Sequence, residues 1–233
     1  MLVIGSCTKS KQDHDCPVNL RLTEADFGEV GRLRAREQVL TKWIRPAAEM
    51  YTGRQHTQMM DGVKLLRARF GDNSCHVGIV SAGYGLLKEQ TPIAPYDITF
   101  QGMSKPLIRA RGEMLGIPDS VRRVLTGYVV VFLLLGDDYL LSVRPPLAPL
   151  GGQKLIAFGS PRIRQVPGAD VVIVPAGKEA KEEFHDPYRT LKGRMFFQMA
   201  RGLVRDPEMW SKLLCDRTPQ TVLALMRKGS RTI

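Results

Sequence analysis

The stretch Tyr128–Leu135, YVVVFLLL, is an unbroken apolar block that stops at Gly136-Asp137-Asp138-Tyr139. It is strand-sized and rich in β-branched residues, the pattern of a strand covered by helices on both faces. Leu2–Gly5, His76–Ser81, Lys154–Phe158 and Val171–Val174 share its character. Helical patterning separates and follows these runs. It covers Glu37–Glu49, interrupted at Pro46, and Gln55–Phe70, where Met59, Val63, Leu66 and Phe70 form one stripe. It returns at Pro106–Leu115, Asp119–Leu125, Glu179–Leu203 and Pro207–Lys228. Such alternation predicts an α/β fold, a mostly parallel central sheet of about five or more strands flanked by helices. Residues 1–177 read as the α/β core and 178–233 as a C-terminal helical pair packed on it, one domain overall. Arg144–Gly152 and Pro167-Gly168 read as loops.

Composition narrows the function. Of 233 residues, 43% are hydrophobic and 24% charged, which argues against disorder. The longest apolar run falls far short of the ~20 residues of a membrane span. The apolar part of MLVIGSCTKSK is too short for a signal peptide. Four cysteines are too few for a disulfide framework, so the expected compartment is the cytoplasm. Thirty-four Lys and Arg against 23 Asp and Glu leave a net charge of +11, an excess that favours polyanions. The arginines recur in small groups (Arg32, Arg34, Arg36; Arg109, Arg111; Arg122, Arg123; Arg162, Arg164), as on a folded surface that grips phosphates. The expected partner is a nucleic acid, with neither a membrane nor an obligate protein partner. Charge alone does not separate RNA from DNA.

In open α/β sheets, ligands gather outside the carboxyl ends of the strands. The first strand exits into Ser6-Cys7-Thr8-Lys9-Ser10-Lys11 and the second into Ser81-Ala82-Gly83-Tyr84-Gly85. The third exits into Gly136-Asp137-Asp138-Tyr139, the fourth into Gly159-Ser160 and the fifth into Pro175-Ala176-Gly177-Lys178. SCTKSK lacks the spacing of a triphosphate-binding loop, yet its hydroxyls and Lys9 suit one phosphate or a base edge. Cys7 reads as a small buried residue rather than a nucleophile. His14, Cys16, Cys75 and His76 have no metal-ligand spacing, so neither metal nor other cofactor is expected. Tyr51-Thr52-Gly53-Arg54 opens a helix, where Thr52 suits an N-cap and the arginine an anion seat. Leu115-Gly116-Ile117 before Ser120–Leu125 matches half of a helix-hairpin-helix, but an ordinary helix-Pro-helix junction is the favoured reading.

The most specific stretch is Ser81–Phe100, SAGYGLLKEQTPIAPYDITF. Together with Ser6-Cys7-Thr8-Lys9, Tyr51-Thr52-Gly53, Pro95-Tyr96-Asp97 and Gly136-Asp137-Asp138-Tyr139, it resembles the YaaA-like superfamily over roughly residues 1–160. Asp13–Met50 is a long insertion relative to that pattern. The resemblance implies an α/β core, a positively charged cleft and a tie to DNA. Its roles include a DNA-binding stress protein, deazaguanine modification of DNA, and glycosylase-like removal of modified bases from phage genomes.

A DNA N-glycosylase needs a carboxylate to steady an oxocarbenium ion and orient water, donors for the leaving base, and an aromatic shelf for a flipped nucleotide. Asp137 or Asp138 is the first choice for the carboxylate, one facing the cleft while the other caps the following helix. Asp97, which also suits a turn cap, comes next, and Glu89 third. Tyr84, Tyr96 and Tyr139 are the stacking candidates. Lys9 and Arg54, with Ser6, Cys7, Tyr51 and Ser81, complete the substrate-binding set. Lys11, Arg109, Arg111, Arg122 and Arg123 are the expected contacts to the DNA backbone. The leading expectation is a metal-independent DNA glycosylase for modified bases, acting in defence against phages with hypermodified DNA. The alternatives are a non-enzymatic DNA-binding stress protein and a hydrolase that edits deazaguanine-type bases within DNA.

Overall fold

The computed structural model describes residues 1–13, 15–145, 147, 151–159 and 171–231. His14, Ser160, Arg162, Arg164, Pro167-Gly168 and part of the Arg144–Gly152 loop lie outside the described residues. The strands are β1 (Leu2–Ser6), β2 (Arg45–Pro46), β3 (His76–Ser81), β4 (Gly85–Lys88), β5 (Pro92–Ile93), β6 (Val130–Leu133), β7 (Lys154–Gly159) and β8 (Val171–Pro175). Six of them form one sheet in the order β4-β3-β1-β6-β7-β8. All neighbours in it are parallel except β3 and β4, while β2 and β5 pair as a separate antiparallel ribbon. All five apolar runs lie in this sheet, and those of β1, β6 and β7 are buried throughout their interiors.

The helices are α1 (Val30–Val39), α2 (Ala47–Met50), α3 (Arg54–Phe70), α4 (Lys105–Met114), α5 (Ile117–Leu125), α6 (Asp137–Val143), α7 (Lys178–Phe184), α8 (Leu191–Arg205), α9 (Met209–Cys215) and α10 (Gln220–Ser230). They fall into two packed groups. Helices α4 and α5 pack on α6, while α8 packs on both α3 and α10. The chain leaves β1 through α3 towards β3, and leaves β3 through α4 and α5 towards β6 on the other side of β1. Right-handed crossovers then put the two groups on opposite faces of the sheet. They also make the gap between β1 and β6 the topological switch point.

Several elements differ from the sequence reading, each for a local reason. Glu37–Glu49 is not one helix. Helix α1 stops at Val39, and Pro46, with the Arg45 it biases towards extended backbone, joins the β2–β5 ribbon. The apolar stripe of α3 buries Met59, Val63 and Leu66, whereas Phe70 at its last turn is 40% exposed. Gly85–Lys88 adds a sixth strand, closed onto β3 by the turn Ala82–Tyr84 with Gly85 at φ +78°. That turn carries no Asn-Gly signature in the sequence. The stretch Glu179–Leu203 breaks where His185 adopts φ +50° to end α7 and Asp186-Pro187 follows. Pro207–Lys228 breaks at Asp216, whose carboxylate accepts the amide and hydroxyl protons of both Thr218 and Thr221. Those bonds hold its pKa far below the usual carboxylate range.

The α8–α10 contact is close enough to depend on glycine. A Cβ on Gly202 would run into the Leu225 carbonyl, and one on Gly229 into the carbonyl of Gln198. Both obstacles are backbone and have no rotamer to yield. Gly202→Ala is therefore expected to cost about 2–3 kcal/mol by overpacking. That lowers the thermal midpoint by roughly 4–12 °C, checked by calorimetry against wild type.

Candidate functional site

A hollow of about 580 Å³ opens over the switch point. Its walls come from three places: the β1 exit (Ser6–Ser10), the β6 exit (Gly136–Tyr139), and the turn Tyr188–Thr190 with Lys192 at the head of α8. Gly53–Gln55 at the start of α3, with Thr99 and Gln101, completes the lining. Three local devices hold these walls together. Gly53 N–H donates to Thr8 Oγ1 at 3.1 Å, and a Cβ on Gly53 would stand 2.6 Å from the Thr8 side chain, so only glycine admits this approach. Gln55 Nε2 donates to the Leu134 carbonyl at 3.1 Å, fastening α3 to the end of β6. The buried Asp186 carboxylate accepts from Arg54 at 3.0 Å, from Gln58 at 3.1 Å and from the Thr190 hydroxyl, pinning the α7–α8 turn against α3.

The hollow mixes charges. Asp137 is exposed, Asp138 half-buried, and both line it. Facing them is Lys192, only 9% exposed, whose Nζ donates to the Leu135 carbonyl. Burial lowers this amine to about 8, and the Asp137 charge opposes that fall. A lysine so placed is largely protonated at neutral pH and has N–H bonds left for a ligand. Lys9, Arg54 and Arg189 add cations at the rim, and the half-exposed Tyr188 is the aromatic side chain with an open surface.

A buried tyrosine network adjoins the hollow. Tyr139 OH meets Cys7 Sγ at 3.0 Å and Thr99 Oγ1 at 3.4 Å. Tyr96 OH lies 2.7 Å from both Tyr51 OH and Ser81 Oγ. Ser81 Oγ already accepts the Gly83 and Tyr84 amides, so its own proton goes to Tyr96. Burial pushes the Tyr51, Tyr96 and Tyr139 phenols above their ordinary value, so all three remain protonated donors at neutral pH.

The structure thus brings together Ser6, Cys7, Lys9, Arg54, Asp137, Asp138 and Tyr139 at the strand exits. It separates others. Tyr51 and Tyr96 are 1% exposed and offer no face to a base. Tyr84 spends its hydroxyl on Glu37 at 2.8 Å and packs its ring at right angles to Phe27. Asp97 is exposed near Lys11, outside the lining. Glu89 is at the other edge of the sheet, bound by Arg67 through two bonds of 2.5 and 2.9 Å. A larger cavity of about 660 Å³ opens there, but its one carboxylate is this committed Glu89.

The expected backbone contacts scatter as well. Lys11 is buried, its Nζ 4.4 Å from the Tyr96 ring centroid, and burial lowers its amine. Arg111 is buried between the Ala82 carbonyl and Glu24. Arg109, Arg122 and Arg123 are exposed on α4 and α5, Arg122 paired with Asp119 and Arg123 beside the Glu89 cavity. The Gly116 amide of the half-hairpin is spent on the Glu113 carbonyl. Of the residues weighed as metal ligands, His76 bonds Tyr128 at 2.8 Å at the far edge.

Lys192, Tyr188 and Arg189 were not singled out from the sequence. The available signal was Asp186-Pro187, a stop inside an otherwise helical stretch. No family model matches the chain, and no curated protein matches it. Among the described residues, no helix is long and apolar enough to cross a membrane.

Proposed function

We propose that this chain is a DNA N-glycosylase with a YaaA-like core, which hydrolyses the base–sugar bond of modified bases and acts against hypermodified phage DNA. The observation that carries the reading is that Asp137 and the buried Lys192 line the same switch-point hollow, inside a rim of cations. Hydrolysis needs a base on one side of the scissile bond and an acid on the other. Asp137 takes a proton from water as its oxygen joins C1′ of the sugar. The C1′–N bond breaks with its electron pair on the departing base, and the Lys192 ammonium supplies the proton that neutralises it. Lys9, Arg54 and Arg189 hold the flanking phosphates. Tyr188 supplies the aromatic surface, and the tyrosine network fixes the floor without stacking on the base.

The volume suits the reading too, since small-ligand sites commonly run from about 300 to 1,000 Å³. Purified protein is to be incubated, with a chelator present, with plain and hypermodified phage DNA. Alkaline cleavage then reports abasic sites, and mass spectrometry reports free base. Free base together with abasic sites from the modified DNA alone is the expected result. An altered nucleoside still attached to DNA would identify base editing instead. Binding with no chemical change would identify a DNA-binding protein without this activity.

A further inference from the structure

Helix α8 presents Thr190, its N-cap, then Arg194, Phe197, Arg201 and Arg205 at spacings of four, three, four and four, which places them along one face. The opposite face buries Met195, Phe196, Met199 and Leu203 in the core, so this stripe is the outward one. Thr190 lines the hollow, and the stripe therefore starts at its rim. The guanidinium carbons of Arg194 and Arg201 lie 5.8 and 5.9 Å from the Phe197 ring centroid, so both arginines rest against one ring. Gln198, its amide nitrogen donating to the Gly229 carbonyl, accepts from Arg194. Arg205 Nη1 donates to the Lys228 and Arg231 carbonyls.

Among the described residues, none of the three arginines pairs with a carboxylate, and Arg201 makes no hydrogen bond at all. Burial, and then repulsion from Arg205 and Arg194, lowers the Arg201 guanidinium from its ordinary value. Of the arginines expected to hold DNA on the other face, Arg111 and Arg122 are already paired with carboxylates.

We propose that the Arg194–Arg201–Arg205 stripe of α8 is the binding track for the DNA phosphodiester backbone and leads one strand to the hollow. At 1.5 Å per residue, Arg194 to Arg205 spans about 16 Å, or about five phosphates of one B-form strand at 3.4 Å each. This track rests on the nucleic-acid reading of the hollow, but not on hydrolysis there.

The test measures anisotropy of a labelled, unmodified 20-mer of DNA between 50 and 200 mM salt. The Arg194→Gln/Arg201→Gln variant leaves Arg205 to close α10. It is expected to bind at least tenfold more weakly at 50 mM salt. Its log K against log salt should be shallower by about 1.5, two phosphate contacts at 0.7–0.9 each. Arg201→Lys keeps the charge and should stay within about threefold of wild type, and Arg109→Gln/Arg122→Gln within twofold. Unchanged affinity and slope in the stripe variant, an equal loss in the α4–α5 variant, or no DNA binding by wild type (whatever it does with RNA) would overturn the track. Base release in the same samples separates the two claims. Stripe-dependent binding without released base sinks the hydrolytic reading alone, and released base with stripe-independent binding sinks the track alone.

Discussion

Asp137→Asn should lower base release from modified DNA by about a thousandfold, within the 10²–10⁴ range expected for the loss of a positioned general base. The side chain is exposed at the first turn of α6, so the substitution removes a charge without opening a cavity. Its stability cost is the favourable carboxylate position at a helix start, roughly 0.3–1 kcal/mol, and the melting curve should barely move. Glu89→Gln and Asp97→Asn are the controls. Glu89 serves Arg67 at the far edge and Asp97 lies outside the hollow, so each should keep base release within twofold. Single-turnover release of free base, followed by mass spectrometry, measures all three. A thousandfold loss in Glu89→Gln with Asp137→Asn unaffected would move the chemistry to the other end of the sheet.

Lys192→Met should cost about a hundredfold in base release and remove a specific feature of the pH profile. The amine titrates at about 8 in the folded protein, and the mechanism needs its protonated form. Wild-type activity should therefore fall as pH rises through about 8, and the variant's residual activity should lack that limb. Stability moves in the opposite direction. Between about 8 and the ordinary lysine value near 10.4, the unfolded chain holds a proton that the folded chain has lost. Folding is therefore penalised below about 8, and the penalty disappears as pH rises through that window. Wild type should gain about 3 kcal/mol from this group across the window, at 1.36 kcal/mol per unit. Denaturant unfolding at pH 7.5 and 10 should show the gain in wild type but not in Lys192→Met. An alkaline limb that survives in the variant would assign that titration to another group.

The sheet was legible because its strands are short, nearly continuous hydrocarbon runs such as YVVVFLLL, whose length and β-branched content favour a buried strand over a buried helix. The strand order was not, since it depends on long-range pairing. Gly85–Lys88 was hidden because four residues after an unmarked turn carry too little pattern. Ser6, Cys7, Lys9, Asp137, Asp138 and Tyr139 were legible as a group because strand exits converge in a parallel sheet. Tyr51 and Tyr96 were legible as residues but not in their environment, because nothing local distinguishes a tyrosine that stacks on a ligand from one whose hydroxyl is met indoors. Lys192 was the least legible. Its burial comes from the docking of α8 on α3, and its partner, the Leu135 carbonyl, is backbone at the end of another element. The arginines of α8 look in the sequence like any basic helix surface, and what sets them apart in the fold is that, among the described residues, none of the three pairs with a carboxylate.

The proposed reaction requires one extruded nucleotide to lie between the β1 and β6 exits. Hydrogen exchange of the intact protein, with and without a DNA duplex carrying a stable abasic analogue, tests it most directly. Slowed exchange is expected in segments 6–10, 53–55, 136–139 and 188–192, with little change around Leu86–Gln90 and Ser120–Tyr128. Protection confined to those last two segments, around the Glu89 cavity, would contradict it.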